Sequence, residues 1–246
     1  MHENQMHEES CFITLTMNDE YLATRENPLS LDKSEFQRFM KRLRKRYGKE
    51  IRYFHCGEYG EKNQRPHYHA IIFGLDFKDK ELFKVRDEIR LYTSESLAEL
   101  WPYGFVTIGE VTYESAAYVA RYVTKKIKGK DAEDHYIRWD PSTGEGIPIE
   151  PEYATMSRKP GIGKTWFDKY KNDVYPHDYV VIKGEYKIRP PRFYDSKLSE
   201  EELEKVKTKR QEELPEVIDQ YDENMDRLWV KEAVKENRLK ILIREL

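Results

Sequence analysis

Two histidines separated by one residue at the head of an apolar run, His67-Tyr68-His69-Ala70-Ile71-Ile72-Phe73-Gly74, constrain this chain more than any other stretch. The β-branched and aromatic content and the closing glycine predict a strand. Alternation then puts His67 and His69 on one face, and Tyr68 and Ala70 on the other. Ile51 to Tyr59 predicts the partner strand, joined through the polar loop Gly60 to Pro66, whose Gly, Asn and Pro supply turn chemistry. A hairpin of this kind carries Glu58 towards the histidines. A lone strand histidine is more often a half-exposed polar residue. Two imidazoles with a carboxylate and open positions instead suit a divalent catalytic cation, Mg or Mn with Zn as an alternative.

The 246 residues allow one substantial domain and an appendage, and 38% hydrophobic with 13% aromatic content predicts a folded core. No stretch approaches the roughly 18 apolar residues of a membrane helix, and the polar start MHENQMHEES lacks the basic and apolar regions of an export signal, so a cytoplasmic protein is expected. Cys11 and Cys56 form no CxxC and fit reduced thiols. A net charge of -3 argues against coating nucleic acid by bulk attraction. The charge is segregated, however: Lys41, Arg42, Lys45 and Arg46 crowd one segment, while Glu dominates after Ser199. Those four cations are the candidate DNA contacts.

In chain order, residues 1–10 read as a flexible leader, His2 and His7 included. Cys11 to Met17 alternates as a first strand with Thr14 and Thr16 on one face. Asp32 reads as an N-cap, followed by a helix with Phe36, Phe39, Met40, Leu43 and Tyr47 at helical spacing and Gly48 as its stop. Beyond the histidine hairpin, Ser94 to Trp101 predicts a short helix and Gly104 to Val111 a strand. The order β, α, β, β, α, β predicts an α+β fold of split βαβ, ferredoxin-like type: an antiparallel sheet with helices on one face and a site on the other.

The next helix, Glu114 to Ile127, contains Tyr118-Val119-Ala120-Arg121-Tyr122-Val123-Thr124-Lys125-Lys126. At about 100° per residue, Ala116, Val119, Ala120, Val123 and Ile127 form the core stripe. Tyr118, Tyr122 and Lys125 fall off it and are expected on the surface. Residues 11–130 thus form the core domain and 131–197 an extension. Within the extension, Asp131 to Lys164 reads as an irregular loop, and Asp178 to Arg189 as a hairpin turning at Lys183 and Gly184. Residues 198–246, helix-prone and interrupted by Pro215, form a charged helical C-terminal appendage. Gly161 to Thr165, GIGKT, lacks the first glycine of a phosphate loop, because Arg158 stands there, so no nucleotide binding is expected. His55, His135 and His177 read as structural.

A divalent cation beside a tyrosine pair and a lysine suggests phosphoryl transfer with tyrosine as the nucleophile. The cation would polarise a phosphodiester, and Lys125 would stabilise charge near the reacting tyrosine. At these residues the chain resembles the HUH endonucleases, the rolling-circle replication initiators, and among them the initiators of gokushovirus-type microviruses, single-stranded DNA phages. Ile13 to Thr16, ITLT, resembles the family's first motif. PHYHAIIFG resembles its HUH motif and YVARYVTKK its two-tyrosine motif, while ATMSRKPGIG and RPPRFY look like the microvirus continuation. The resemblance implies Tyr118 and Tyr122 as alternating nucleophiles, His67, His69 and Glu58 as metal ligands, and a single-stranded DNA origin as substrate. It also implies host helicase and polymerase as partners in the cytoplasm of a bacterial host. A relaxase or transposase of the same chemistry, and a non-catalytic single-stranded DNA-binding protein with a structural metal, are the alternative readings.

Overall fold

The computed structural model describes the chain apart from residues 61–62, 87–88, 126, 128, 140–142, 185, 214–224 and 242–246, and apart from the side chains of 86, 122–125, 130–131, 133, 225–226 and 238–241. Contacts divide it into two units, Met1–Ile162 and Gly163–Glu245.

The first unit is built around β1, Ser10–Thr16, which pairs on both edges, antiparallel to β3 (Pro66–Phe73) and to β6 (Val106–Gly109). On one side β1 presents Cys11, Ile13 and Leu15 to a large core. On the other, Phe12 joins a smaller cluster. Strand β2, Arg52–Tyr59, pairs antiparallel with β3, so β1 and β2 run parallel around it and the central order is β6-β1-β3-β2. This is the expected split βαβ arrangement. The hairpin of β4 (Glu81–Arg86) and β5 (Ile89–Thr93) extends one edge of the sheet, and β9 (Tyr153–Met156) extends the other to make seven strands.

The crossover from β1 to β2 contains α1, Asp19–Ala23, and α2, Lys33–Tyr47. The Asp32 side chain caps α2 by accepting from the Ser34 amide at 2.8 Å, and Arg44, Lys45 and Arg46 sit in the last turn, where the helix dipole favours cations. Phe36, Phe39, Met40 and Leu43 are buried against Ile13, Leu15, Tyr68, Ala70 and Ile72, each large side chain contributing about 1.5–3 kcal/mol. Glu35 is fully buried within this layer. It accepts from the Tyr68 hydroxyl at 2.6 Å and the Tyr21 hydroxyl at 2.9 Å, with Arg25 Nε at 3.1 Å. Desolvation would be costly for an unpaired carboxylate here, and these partners offset it. Because Tyr68 is tied beneath α2, its neighbours His67 and His69 must point to the opposite face.

Helix α3, Glu95–Leu100, buries Leu97 and Leu100 on the same side as α2. Helix α4, Tyr113–Lys125, instead lies on the opposite face, over β2, β3 and β9. Helices of the first unit therefore cover both faces, and the site is enclosed between sheet and helix.

Three further expectations are corrected. Residues 1–10 are not a free leader: Glu3 is 1% exposed and ion-paired with Arg52, His7 stacks on Phe73 at 5.7 Å, and Ser10 already belongs to β1. Arg52 and Phe73 lie at the end of the β2–β3 pair and need a cover, which these residues supply. The segment from Asp131 is not an irregular loop. It contains α5 (Lys130–His135), the paired strands β7 (Ile137–Trp139) and β8 (Gly146–Pro148), and β9, which pairs Ala154 with Cys56. The β4–β5 hairpin was not anticipated at all.

The second unit contains α6 (Lys164–Val174), the hairpin of β10 (Val180–Ile182) and β11 (Tyr186–Ile188), α7 (Arg192–Asp195), α8 (Glu200–Glu212) and α9 (Met225–Ile241). The hairpin falls where the sequence predicts it. Arg210 on α8 binds Asp178 at 2.7 Å and Asp195 at 2.8 Å, and the Tyr175 hydroxyl donates to Asp195.

Candidate metal and nucleophile site

The β2–β3 register places Glu58 opposite His67 and Cys56 opposite His69, all with side chains on the α4 face. Glu58 lies diagonally across from His69, and its Oε1 is 2.6 Å from His69 Nε2. On the other side of that ring, Thr14 Oγ1 is 3.0 Å from Nδ1, because β1 pairs Thr14 directly with His69. His67 Nδ1 donates to the Arg65 carbonyl at 2.6 Å, which fixes its tautomer and leaves the Nε2 lone pair unprotonated. The two imidazoles stack at 6.4 Å with an interplanar angle of 10°. Gly60 lies against His67: a Cβ there would stand 3.0 Å from His67 Cε1.

Helix α4 begins with reciprocal hydrogen bonds between Thr112 and Ser115 and buries Ser115, Tyr118 and Val119. Tyr118 is thus not on the surface, contrary to the helical-wheel expectation. It is 5% exposed, lies edge-on to His69 at 5.0 Å and to Phe12 at 6.4 Å, and donates its hydroxyl to Glu58 Oε1 at 2.7 Å. Ala120, assigned to the core stripe, is exposed. The aliphatic stripe misled because the face that docks on the sheet combines Val119 with a tyrosine whose hydroxyl has a buried acceptor. Arg121 stands over the Tyr118 ring at 5.9 Å. Tyr122 and Lys125 occupy the last turns of α4 by backbone position, and their side chains lie outside the described residues.

The electrostatics follow from burial and proximity. Burial alone would raise the Glu58 carboxyl, but His69 alongside it, with the hydrogen bonds from His69 and Tyr118, holds it below the usual carboxylate range. Burial, reinforced by His69, lowers the His67 imidazole. Burial and then the Glu58 charge push the Tyr118 phenol well above the usual tyrosine range, so it is held protonated as a donor.

Among the described residues, no group of three His, Cys, Asp or Glu side chains stands ready-formed around one point, since Glu58 and His69 close on each other. The donor chemistry nevertheless fits a divalent cation. His67 offers Nε2, Glu58 offers a carboxylate held ionised, and Thr14 can accept the His69 proton at Nδ1, which frees His69 Nε2. Thr14 was singled out in the sequence only by its face; its contact depends on the β1–β3 register, which no local pattern reveals.

The candidate DNA cations stand on α2, on the face away from the histidines. Lys41 and Lys45 are exposed. Arg42 Nε donates to the Leu100 carbonyl at 2.9 Å and its guanidinium covers Tyr103, while Arg46 pairs with Glu99. Two of the four therefore fasten α3 to α2.

Residues 10–127 match a family of phage replication proteins described under the heading Replication-associated protein ORF2. The chain is 35% identical to Replication-associated protein VP4 of Bdellovibrio phage phiMH2K, over 78% of its own length and 59% of the relative's. It is 35% identical to Replication-associated protein ORF2 of Spiroplasma virus 4, over 81% and 62%, and 39% identical to Replication-associated protein ORF4 of Chlamydia phage 1, over 78% and 46%. It thus spans about three fifths or less of these relatives. No solved structure matches it. Among the described residues no helix is long and apolar enough to cross a membrane. Through residues 10–127 the chain belongs to this replication-associated protein family, and the resemblance to phage replication proteins drawn from its motifs holds.

Proposed function

We propose that this protein initiates rolling-circle replication by cutting single-stranded DNA at an origin through tyrosine transesterification. The hydrogen bond from the Tyr118 hydroxyl to Glu58, the same carboxylate oxygen that meets His69, carries the reading. It supports a nucleophile, a proton acceptor and an imidazole ligand grouped on one sheet face. The phenolic oxygen attacks the scissile phosphorus and the bond from phosphorus to the 3′ oxygen breaks. The phenolic proton passes to the Glu58 carboxylate, and the departing 3′ oxygen takes up a proton to become a free hydroxyl. The 5′-phosphotyrosine ester retains the energy of the broken bond, so rejoining by a 3′ hydroxyl needs no ATP. A divalent cation, Mg or Mn with Zn as an alternative, held by His67, His69 and Glu58, supplies positive charge that polarises the phosphate and offsets the carboxylate field on the phenol. Thr14 orients His69, and the Arg65 carbonyl orients His67.

Tyr122, one turn beyond Tyr118 on α4, is assigned as the alternate nucleophile and Lys125 as the cation beside it. Host helicase and polymerase are the proposed partners, in the cytoplasm of a bacterial host. Peptide mapping of the covalent adduct formed with labelled single-stranded origin DNA and Mg or Mn tests the assignment. Tyr118→Phe and Tyr122→Phe should each leave some initial nicking, and the double variant none. An adduct on some other tyrosine overturns the mechanism.

A further inference from the structure

The site face of the sheet continues beyond the histidines towards the β4–β5 edge, and there it carries exposed aromatic rings. Phe105 is 48% exposed and Phe83 53%, and their rings stand 5.2 Å apart. The Phe105 carbonyl accepts from the Thr16 amide at 2.9 Å, and Thr16 pairs with His67 on the next strand. Phe105 is therefore two strands from His67, about 10 Å away at the usual strand spacing. Alternation from the core residue Val106 directs Phe105 to the same face as Thr107, whose partner on β1 is Thr14. Its backbone is pinned: Gly104 has φ +156°, and a Cβ there would lie 2.4 Å from the Thr16 carbonyl oxygen, so the chain enters β6 tight against β1.

A cation stands on the same face. Lys84, exposed on β4, pairs with Leu91, and Leu91 lies over Gly109 beside Phe12 on the site side. The hairpin is not uniformly apolar. Its aromatic ring and Lys84 are on the site face, whereas the aliphatic Leu82 and Val85 alternate to the other. Rings for stacking beside a cation for phosphates, continuous with a site for phosphodiester chemistry, match single-stranded nucleic acid better than an apolar protein surface.

We infer that Phe105 and Phe83 form a stacking platform for two bases of the single-stranded DNA that enters the Tyr118 site, with Lys84 contacting the backbone alongside. The inference rests on the nickase reading and deepens it by naming where the strand lies. About 10 Å separates the platform from His67, so the stacked bases fall within about three nucleotides of the cut at a rise of roughly 3.4 Å each. Stacking is sequence-tolerant, so the platform positions the strand and leaves origin choice to other contacts.

The test is equilibrium binding of the full chain to fluorescein-labelled oligothymidylate, followed by anisotropy, with sedimentation of the free protein in parallel. Phe105→Ala and Phe83→Ala should each weaken binding roughly fivefold to 150-fold without changing the salt slope. Phe105→Trp should keep wild-type affinity and show indole quenching on adding oligothymidylate, a direct signal of stacking that a merely structural ring would not give. Alanine variants that bind like the wild type, or an unquenched Phe105→Trp, overturn the platform while the nickase reading stands. A change of sedimentation with unaltered DNA affinity overturns it in favour of self-association. A wild-type protein that binds no oligothymidylate overturns both.

Discussion

Replacing Tyr118 by phenylalanine separates a buried, hydrogen-bonded tyrosine from the surface residue that a helical wheel suggests. The ring stays between His69 and Phe12, so no cavity opens, and the change removes one hydrogen bond, 2.7 Å long, to an ionised acceptor. Such bonds contribute about 1.5–3 kcal/mol. Glu58 keeps its bond to His69 and is not stranded without a partner, which sets the expected loss at the lower end, about 1.5–2 kcal/mol. That corresponds to a roughly ten- to thirtyfold fall in the folded-to-unfolded ratio. A tyrosine facing solvent would cost less than about 0.5 kcal/mol. Hydrogen-exchange protection of the β2, β3 and α4 amides reads the first unit separately from the second. Measuring it in the wild type, Tyr118→Phe, Glu58→Gln and the double variant completes a cycle whose coupling should reach about 1 kcal/mol. Protection in Tyr118→Phe within about 0.5 kcal/mol of wild type, or strictly additive effects, would refute the buried pair.

Three further outcomes are expected. His67→Ala or His69→Ala should abolish cleavage with Mg or Mn present while oligothymidylate affinity stays within a few-fold, as gel analysis of adduct beside anisotropy would reveal; full cleavage by either variant removes the ligand assignment. Lys84→Ala should reduce the slope of log affinity against log salt by about 0.7, whereas Lys41→Ala with Lys45→Ala, on the far face, should leave it unchanged; the opposite pattern would move the DNA track to α2. Acid should destabilise the fold in two stages. Burial holds His67, and more strongly His55, below the ordinary histidine value, so the unfolded chain binds more protons and their contribution, present above about pH 6.5, is lost as pH falls. Glu58, whose own depression survives its burial because of His69, adds a second loss below about pH 4.5. Urea midpoints should therefore drop between about pH 7 and pH 5, and His55→Gln should flatten that drop; a flat wild-type profile contradicts it.

The sheet centre was legible because period-two alternation in β1 and β3 leaves little freedom over which side is buried. Glu58 was legible for a related reason, since a short hairpin fixes its own register. The α4 docking face was not: Val119, Ala116 and Ala120 read as a stripe, yet a tyrosine with a buried carboxylate partner competes for the same surface, and that partner lies 60 residues away. The β4–β5 hairpin escaped notice because its residues are exposed or half-exposed on both faces, which erases the alternation that announces a strand. The basic face of α2 looked like a DNA surface because composition does not distinguish a cation awaiting phosphate from one bonded to a neighbouring helix, as Arg42 and Arg46 are.

The two halves of the site differ in how far apart they lie along the chain, and this bears on the order in which it assembles. His69 and Glu58 are 11 residues apart and meet within one hairpin, whereas Tyr118 must cross 60 residues to reach the same carboxylate. Closing the longer loop costs about 1.5 kcal/mol more chain entropy, and non-local contacts of this kind form late. The folding chain therefore gains its ligand pair before its nucleophile arrives. A nascent or partly unfolded molecule can bind the cation while lacking the group that cuts, so the capacity to cleave DNA is acquired only when α4 docks.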